Sequence, residues 1–495
     1  MVTTLDGKPI YALNEGQLFR PDSNAKLFTT ATSLALLGPA RTFGTVITGV
    51  LDPTTGIVKG DLKLVGGGDP SFGTNDLPYT APASPPKKIA EQQQVLRDLD
   101  DLVSQLVTAG VKQIDGDIIG DDTLFPWDPY PADWAIDDAV WGYSAPVTAL
   151  TIADNQLRLT MTPGSSPGGC GLATLEQAVA YYTLDGCVRT VATKAQARGM
   201  QVSRLPGSRV LRISGSMVVR DKPDVEEVAI DDPAEYAAMS LQSALMDHGI
   251  LVKGTAHAKH NPALVAPNFT SLVRTPEAGE TSFMKGMNVI IDCYLEAVPA
   301  SSAPVLARHV SAPLGDDVLY TNKVSQNLHA ELFLRQVGNM PAFCGNGSLL
   351  GGAHLQGEFL IVRVGIDKDD FVFYDGSGLS GYDLVTPRAV AKLLSFAAND
   401  PKTGQPQPWF APWKASLPVG GVDGTLADRF TTAPLKGHVF AKTGTHSEGR
   451  ALSGYLECAS GQTVIFSILD ENHLSGDTAD RDAMDRIVAA IAAAE

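Results

Sequence analysis

The sequence predicts an α/β protein of about three domains, and three observations support this prediction. The chain has 495 residues, which at roughly 150 residues per domain suggests about three domains. Hydrophobic residues make up 44 % of the chain and charged residues 19 %, so there is enough apolar material for folded cores. Segments with strand-like alternation and segments with helical periodicity follow one another, which indicates that sheets and helices occur in the same chain.

The elements follow in chain order from local patterns. Turns at Asp6-Gly7-Lys8-Pro9 and Asn14-Glu15-Gly16 predict two short strands within residues 1–20, and an apolar helical stretch then covers Leu27 to Leu37. Residues 44–65 alternate like two strands. Further helices are predicted over residues 89–109, 233–248, 281–297, 323–337, 387–398 and 480–494. The last strands are predicted over residues 437–442, 450–457 and 462–469.

The charge of the chain argues against nucleic acid or an anionic membrane surface as a main partner. Lys plus Arg total 38 and Asp plus Glu total 55, which gives a net charge of −17, whereas both of these partners require clustered cations. No apolar run reaches the ~18 residues of a membrane span. Residues 1–6 have no basic segment followed by an apolar one. The start therefore fits either a cytosolic protein or one whose leader is absent.

The cysteines and histidines predict no metal site, and we expect no cofactor. Cys170 and Cys187 are the only two of the five cysteines that lie close in sequence, and a disulfide between them is a hypothesis. His257-x-x-His260 comes nearest to a zinc motif, but a pair of solvated loop histidines explains it better.

Three short motifs point to nucleophilic serine chemistry. Ser-x-x-Lys, Ser-x-Asn and Lys-Thr-Gly, in this order, are the set that one class of serine acylating enzymes uses. At the start of a helix, positions i and i+3 share a face, so the serine and the lysine touch. A partly desolvated lysine among other cations loses its proton more easily and can then accept the serine proton. The N-terminus of the helix also favours negative charge that develops near the serine.

Each motif is short, so alternatives have to be weighed. Ser-x-x-Lys occurs three times, at Ser23/Lys26, Ser84/Lys87 and Ser282/Lys285. Two prolines inside the second copy argue against a helix there. The third copy opens a credible amphipathic helix and is the serious rival, but only Ser23 directly follows a predicted strand pair.

The other two motifs are less ambiguous. Ser-x-Asn occurs once, as Ser325-Gln326-Asn327, and the alternative for its serine and asparagine is helix capping. Lys-Thr-Gly occurs twice. Lys402 lies between prolines in a predicted turn, whereas Lys442 continues a strand-like segment. A strand edge that pairs with substrate is needed, so Lys442 is favoured.

These residues together resemble the serine D-Ala-D-Ala carboxypeptidases of the penicillin-binding-protein type, in the class C low-molecular-mass branch that includes DD-endopeptidases. The resemblance covers most of the chain, and the ordered set of segments is specific although each is weak alone. It also favours Ser23 over Ser282, because the family's reactive serine follows an N-terminal strand pair. The segments are residues 21–27, 64–70, 143–150, 322–331, 375–380, 384–388, 421–426 and 441–445.

The resemblance implies a transpeptidase/β-lactamase-like domain, an antiparallel sheet flanked by helices, with two nested inserted domains. Ser325 follows Ser23 by 302 residues, so much of the chain between them must be an excursion. The expected boundaries are 1–44 and 307–495 for the catalytic domain, 45–67 and 163–306 for inserted domain II, and 68–162 for nested domain III.

The resemblance also implies a role for each motif residue. Ser23 would attack the carbonyl of a terminal D-Ala-D-Ala bond, Lys26 would be the general base, and Ser325 would relay the proton to the leaving amine. Asn327 would bind the peptide amide of the substrate. Lys442, Thr443, Gly444 and Thr445 would hold the terminal carboxylate and the strand edge. The backbone N–H groups of Ser23 and Thr445 would form the oxyanion hole.

Four further positions carry weaker expectations. Asp138 and Tyr143 match the place where the family's inserted domain recognises the amino-bearing end of a peptidoglycan side chain, and a packed aromatic loop is the alternative. Leu379 would line the pocket or belong to the core. His446 stands where the family usually has an apolar residue, and it would alter side-chain preference, make activity pH-dependent, or have no effect.

The implied substrates are peptidoglycan stem peptides, and β-lactam antibiotics are the implied inhibitors. Because peptidoglycan lies outside the cytoplasm, the resemblance implies a periplasmic or extracytoplasmic protein whose leader is absent from this sequence. Two alternatives remain: a β-lactamase or esterase on the same fold, and a non-catalytic scaffold that binds peptidoglycan.

Overall fold

The structure is a computed structural model that describes residues 1–73, 77, 79–81, 97–262, 303–341, 345–446, 448–474 and 478–494. The predicted helix over 281–297 and the motif copies at Ser84/Lys87 and Ser282/Lys285 lie outside the described residues.

Strands and helices are interspersed along the described part of the chain. The strands are β1 (Val2–Thr4), β2 (Pro9–Tyr11), β3 (Gly44–Asp52), β4 (Ile57–Val65), β5 (Gln113–Ile114), β6 (Ile118–Trp127), β7 (Gln156–Thr162), β8 (Leu172–Leu175), β9 (Thr183–Gly186), β10 (Arg189–Val191), β11 (Gly199–Ser203), β12 (Val210–Val218), β13 (Asp224–Ala229), β14 (Leu251–Val252), β15 (Ala256–Pro262), β16 (Val305–Val310), β17 (Phe371–Val372), β18 (Leu384–Val385), β19 (Val439–Thr445), β20 (Gly449–Glu457) and β21 (Thr463–Glu471). The α-helices are α1 (Ala25–Leu37), α2 (Arg97–Thr108), α3 (Pro233–Asp247), α4 (Leu314–Val324), α5 (Asn327–Gly338), α6 (Leu349–Glu358), α7 (Pro387–Ala398), α8 (Phe410–Ser416) and α9 (Ala479–Ala494).

The two ends of the chain build one five-stranded antiparallel sheet in the order β19-β20-β21-β1-β2. Side chains alternate between its faces because successive residues of a strand point to opposite sides. Tyr455 and Ile465 join the core formed with α1 and α7, whereas Leu452 and Leu456 join the core formed with α9. The sheet is therefore covered by helices on both faces, and β19 lies at its edge.

The middle of the chain is an excursion from this sheet. The chain leaves at Phe43 and returns at Ser311, where the Phe43 N–H donates to Ser311 Oγ and the Ser311 N–H donates to the Phe43 carbonyl, each at 2.8 Å. The expected outer boundaries, 44/45 and 306/307, lie close to these positions. β16 crosses the second boundary, because it pairs with β3 in the sheet of the excursion.

Strand pairing inside the excursion favours inner domain boundaries that differ from those expected from the sequence. β6 belongs to the segment 68–162, yet it pairs with β4 and β15 in a seven-stranded sheet that carries α2 and α3. β7 ends at the expected seam and pairs across it with β8 and β13. The division into 45–67 with 163–306 and 68–162 stays a prediction, but these pairings favour a nested unit formed by β7 to β13.

The helix and strand predictions agree best where the local signals are strong. The helix predicted over 387–398 is confirmed as α7, where Thr386 accepts from the Ala389 N–H and Pro387 occupies the first turn. The helical stretch predicted over 323–337 is confirmed from residue 327 onward as α5, but its start is wrong. Ser325 adopts a left-handed conformation (φ 64°, ψ 39°) that ends α4, and α5 begins two residues later.

The structure also tests the predictions for one cysteine pair and one histidine pair. Cys170 and Cys187 form a disulfide. The solvated loop predicted for His257 and His260 is wrong, because both lie on β15 and His260 is held between Asp122 (2.9 Å) and Asp232 (3.1 Å). Among the described helices, none is long and apolar enough to cross a membrane.

Candidate active site

Ser23 lies in the single 3-10 turn that leads into α1. Lys26, one helical turn further, is fully buried and its Nζ lies 3.0 Å from Ser23 Oγ. Just before the serine, Asp22 has a positive φ of 46°. Its carbonyl oxygen comes so close to Gly378 that a Cβ there would lie 1.8 Å from it. Only glycine, which also adopts the observed φ of 81°, fits this contact.

Two further contacts orient the amine of Lys26 toward the serine. Nζ contacts Asn327 Oδ1 at 2.6 Å and the Ser377 carbonyl at 2.7 Å. Both oxygens are acceptors only, and the assignment of Oδ1 holds because Asn327 Nδ2 donates to the Tyr143 carbonyl at 2.8 Å. Two N–H groups are thus used, and a neutral lysine would have its lone pair left for the Ser23 hydroxyl.

The environment of Lys26 shifts its pKa toward neutral pH. Burial lowers the pKa of Lys26 to about 8, against the opposing effect of acids that include Asp375 and Glu331. Burial also raises the pKa of Glu331 to about 8. A base whose pKa lies near the working pH can accept a proton from a serine hydroxyl and return it later.

Buried acids hold the loop that carries the Ser377 carbonyl. Glu331 on α5 accepts from the N–H groups of Gly376 (2.9 Å) and Ser377 (2.8 Å). Asp375 accepts from the Ser377 and Gly378 N–H groups and from Trp134 Nε1 at 2.9 Å. Sequence reasoning assigned no role to Asp375 or Glu331, although both lie in segments that carry the resemblance.

The second serine and the second lysine form a matching pair. Lys442 on β19 is fully buried, and its Nζ donates to Ser325 Oγ and to the Thr443 carbonyl, each at 2.9 Å. Burial and then the charge of Lys26 lower the pKa of Lys442 well below its usual range. The capping alternative holds in part, because Ser325 occupies the C-terminal cap position of α4. At the start of α5 the capping side chain is that of Gln326, which accepts from the Leu328 N–H, and not that of Asn327.

β19 presents its last residues at the sheet edge. Pro418 and Val419 pair with its first half, through the Ala441 N–H and a bridge to Phe440. Thr443 Oγ1 lies 2.7 Å from Thr425 Oγ1, and Thr445 is exposed.

The same strand packs closely against the serine turn. A Cβ on Gly444 would lie 2.8 Å from the Pro21 carbonyl, which explains why a glycine faces this turn. Asn24 Nδ2 donates to the Lys442 carbonyl at 3.1 Å. The start of α1 is therefore joined directly to the strand that carries Lys-Thr-Gly.

The excursion also contributes Tyr143, which contacts one of the motif residues. Tyr143 donates from its hydroxyl to Asp138 Oδ1 at 2.5 Å, and about half of its surface is exposed (49 %). Burial and then Asp138 raise the pKa of Tyr143. Its backbone carbonyl is the group that binds Asn327. The structure therefore brings Tyr143 next to Asn327, and Asp138 next to Tyr143.

Of the remaining candidates, Leu379 and His446 are half-buried and Lys402 is exposed. Leu379 is half-buried beside Gly378, and its N–H donates to Ser377 Oγ at 3.4 Å. His446 is half-buried in the turn after β19, where its N–H donates to the Gly449 carbonyl. The second Lys-Thr-Gly copy, at Lys402, lies in an exposed turn as predicted.

The fold is that of the penicillin-binding proteins. The crystal structure of penicillin-binding protein 4 from Haemophilus influenzae superposes with a TM-score of 0.77 at 21 % identity, over 99 % of this chain and 94 % of that one. The same protein complexed with a β-lactam gives a TM-score of 0.71 at 20 % identity, with the same coverage.

The chain belongs to the D-Ala-D-Ala carboxypeptidase 3 (S13) family, whose model matches residues 1–268 and 283–494. A D-alanyl-D-alanine carboxypeptidase of Actinomadura sp. (strain R39) is 31 % identical over 488 residues, 96 % of this chain and 77 % of that protein. The penicillin-sensitive carboxypeptidase A of Dictyostelium discoideum is 25 % identical over 498 residues, 97 % of this chain and 83 % of that one. The family membership predicted from the order of the motifs is confirmed.

Proposed function

We propose that this protein is a serine D-Ala-D-Ala carboxypeptidase that works through an acyl-enzyme on Ser23. The observation that carries the proposal is the contact set of Lys26, whose buried Nζ lies 3.0 Å from Ser23 Oγ and is held there by Asn327 Oδ1 and the Ser377 carbonyl. The family membership and the penicillin-sensitive relative support the same activity.

Acylation moves one proton and exchanges two bonds. Neutral Lys26 takes the hydroxyl proton while Ser23 Oγ bonds to the carbonyl carbon of the penultimate D-Ala. The backbone N–H groups of Ser23 and Thr445 stabilise the oxyanion. The C–N bond then breaks, and the proton that Lys26 accepted passes through Ser325 to the leaving amine, which leaves Lys26 neutral again. Lys442 hydrogen-bonds Ser325. Water later hydrolyses the ester, releases the shortened peptide and restores the Ser23 hydroxyl.

Substrate selection rests on the end of β19 and on the wall of the excursion. Lys442, Thr443 and Thr445 receive the terminal carboxylate, and the strand edge with Gly444 pairs with the peptide. Asn327 holds the peptide amide. An anion beside Lys442 raises the lowered pKa of this lysine and so favours its charged form when the carboxylate is bound.

Side-chain recognition is assigned to the half-buried Asp138 and the exposed Tyr143. Their hydroxyl–carboxylate contact offers a negative group to the amino-bearing end of a stem peptide. Leu379 supplies an apolar contact, and His446 tunes side-chain preference or pH dependence. The same groups would serve DD-endopeptidase action on cross-linked peptides. Such substrates place the protein outside the cytoplasm, with β-lactams as inhibitors.

The test is intact-mass measurement after reaction with a penicillin, together with D-Ala release from a stem pentapeptide. We expect one adduct and D-Ala release with the parent, neither with Ser23→Ala, and both with the matched control Ser282→Ala. An adduct that persists in Ser23→Ala overturns the choice of nucleophile. Rapid loss of the adduct without D-Ala release favours a β-lactamase or esterase, and absence of both reactions favours a scaffold.

A further inference from the structure

His329 is a buried histidine that the reaction scheme does not use. It lies on α5 two residues after Asn327 and is fully buried. Nδ1 lies 2.6 Å from Asp317 Oδ1, and Nε2 lies 3.1 Å from Asp154 Oδ1. Because carboxylate oxygens accept hydrogen bonds, both ring nitrogens donate only when the ring is an imidazolium.

The two carboxylates favour the charged form of this ring, although burial also raises the pKa of Asp317. Burial alone lowers the pKa of His329, but the carboxylates of Asp317 and Asp154 outweigh burial and raise it to about 10. The ring of Tyr320 also packs against it, with 5.3 Å between the centroids. The three side chains of Asp317, His329 and Asp154 are called the ion triad below.

The ion triad joins the helices α4 and α5, which flank Ser325, to the excursion. Asp317 lies on α4, His329 on α5, and Asp154 belongs to the excursion. Asp154 sits in a turn in which residues 153, 154 and 155 all have positive φ (50°, 54° and 56°). Such backbone is strained for residues other than glycine and persists only where the surroundings hold it.

The second oxygen of Asp154 reaches the loop between the two helices. Gln326 Nε2 donates to Asp154 Oδ2 at 3.3 Å, and Gln326 Oε1 accepts from the Leu328 N–H at 2.7 Å. Both ends of this amide are therefore bound. Gln326 stands between Ser325, which is itself in the left-handed region, and Asn327.

We propose that the ion triad is a positioning device that holds Ser325 and Asn327 in reactive geometry and makes that geometry depend on the excursion. The inference rests on the proposed function for the roles of these two residues. His329, Asp154 and Asp317 touch no reacting atom and act through the loop. Removal of the charge leaves two buried carboxylates without their shared donor, and the loop between α4 and α5 then relaxes.

The chain offers a matched control. His260 in the excursion is also held between two carboxylates, Asp122 at 2.9 Å and Asp232 at 3.1 Å, and stacks on Trp127. Burial lowers its pKa, but the two carboxylates outweigh this and raise it to about 10. His260→Gln therefore removes the same kind of triad at a place that does not contact Gln326.

The experiment compares His329→Gln, Asp154→Asn and His260→Gln by thermal unfolding and by stopped-flow acylation with a fluorescent penicillin, corrected by active-site titration. We expect all three to lower the Tm. His329→Gln and Asp154→Asn should lower the acylation rate constant at least tenfold with little change in the pre-acylation binding constant, and His260→Gln should change it less than twofold. Equal losses in all three variants, or no loss in His329→Gln, overturn the proposal.

A second readout keeps the inference separate from the proposed function. Amide hydrogen exchange measures the loop directly and needs no activity. We expect faster exchange at residues 325–328 in His329→Gln and Asp154→Asn, but not in His260→Gln. Unchanged exchange there overturns the positioning role even if acylation is slow. If His329→Gln does not fold, Asp154→Asn decides both readouts.

Discussion

Asn327 Oδ1 lies 2.6 Å from Lys26 Nζ, although 301 residues separate the two in sequence. This contact joins the Ser-x-x-Lys motif directly to the Ser-x-Asn motif. Lys442 makes the corresponding link to Ser325 at 2.9 Å. The three motifs therefore form one connected set of hydrogen bonds, and a change at one lysine is expected to reach both serines.

The pH dependence of acylation should report the protonation of Lys26. Only the neutral amine accepts the Ser23 proton, and the pKa of Lys26 is about 8, so the rate constant should rise with pH and level off above that value. Well below the midpoint the rise should be about tenfold per pH unit. Stopped-flow acylation by a β-lactam between pH 5.5 and 9.5 measures this profile.

Glu331→Gln tests the assignment of Lys26 as the general base. The Glu331 carboxylate raises the pKa of Lys26, so its removal should move the midpoint of the profile to lower pH. The glutamine oxygen can still accept from the Gly376 and Ser377 N–H groups, which keeps the loop in place. A midpoint that moves to higher pH, or a flat parent profile, would exclude Lys26 as the base.

Gly378→Ala should be far more destabilising than Gly404→Ala. Both glycines have positive φ (81° and 66°), but a Cβ at Gly378 meets the Asp22 carbonyl whereas no atom lies within 4 Å of one at Gly404. We expect a cost of about 1 kcal/mol at Gly404 from backbone strain alone, and more than about 3 kcal/mol at Gly378. Urea unfolding measures both, and equal costs would contradict the close approach at the serine turn.

Asp423→Asn should weaken the loop that faces Lys-Thr-Gly. Lys323 is buried, and its Nζ donates to both Asp423 carboxylate oxygens (2.7 and 2.8 Å) and to the Leu417 carbonyl (2.6 Å). Loss of one partner of a buried pair costs about 3–5 kcal/mol. The loop that carries Asp423 also places Thr425 on Thr443, so acylation should slow as well.

The matched control for this pair is Asp6→Asn, which removes an exposed ion pair with Lys8. Exposed pairs contribute little to stability because water and salt screen them, so the Tm should stay unchanged. A Tm for Asp423→Asn that equals that of Asp6→Asn would show that the buried pair does not hold the loop.

Reduction of the Cys170–Cys187 disulfide should lower stability and leave acylation intact. The bridge spans 17 residues, and closure of a loop of this size contributes about 3 kcal/mol in the chain-entropy treatment. It lies among β8 to β12 of the excursion, away from the catalytic motifs. Thermal unfolding with and without dithiothreitol, with Cys458→Ala as the control that retains the bridge, measures the effect. Loss of acylation on reduction would show that this sheet supports the cleft.

Local signals explain which parts of the fold could be predicted. Pro387 after Thr386 fixes the start of α7, and i,i+3 spacing fixes the contact between Ser23 and Lys26. The left-handed Ser325 carries no such signal, because glycine and asparagine are the residues that usually mark this conformation. The prediction of a helical stretch over 323–337 therefore missed the break at Ser325, although α5 confirms the rest of it.

Long-range contacts explain most of what could not be predicted. The pairing of His329 with Asp154 joins residues 175 apart, and nothing in either neighbourhood indicates the partner. His260 looked like a loop residue because its two carboxylates come from β6 and from the start of α3. The inner domain boundaries stay a prediction, and the strand pairs that bear on them are also long-range, since β7 pairs with β8 and β13 across the expected boundary at 162/163.

The doubly hydrogen-bonded exit and return of the chain at Phe43 and Ser311 has a consequence for engineering. The two ends of the excursion are adjacent, so a short linker could replace it with little loop-closure entropy, and the catalytic sheet could still close. The truncated protein would lack Tyr143, Trp134 and Asp154, which contact the motif residues or the loops that hold them. The excursion therefore supports the motif residues of a sheet to which it contributes no strand.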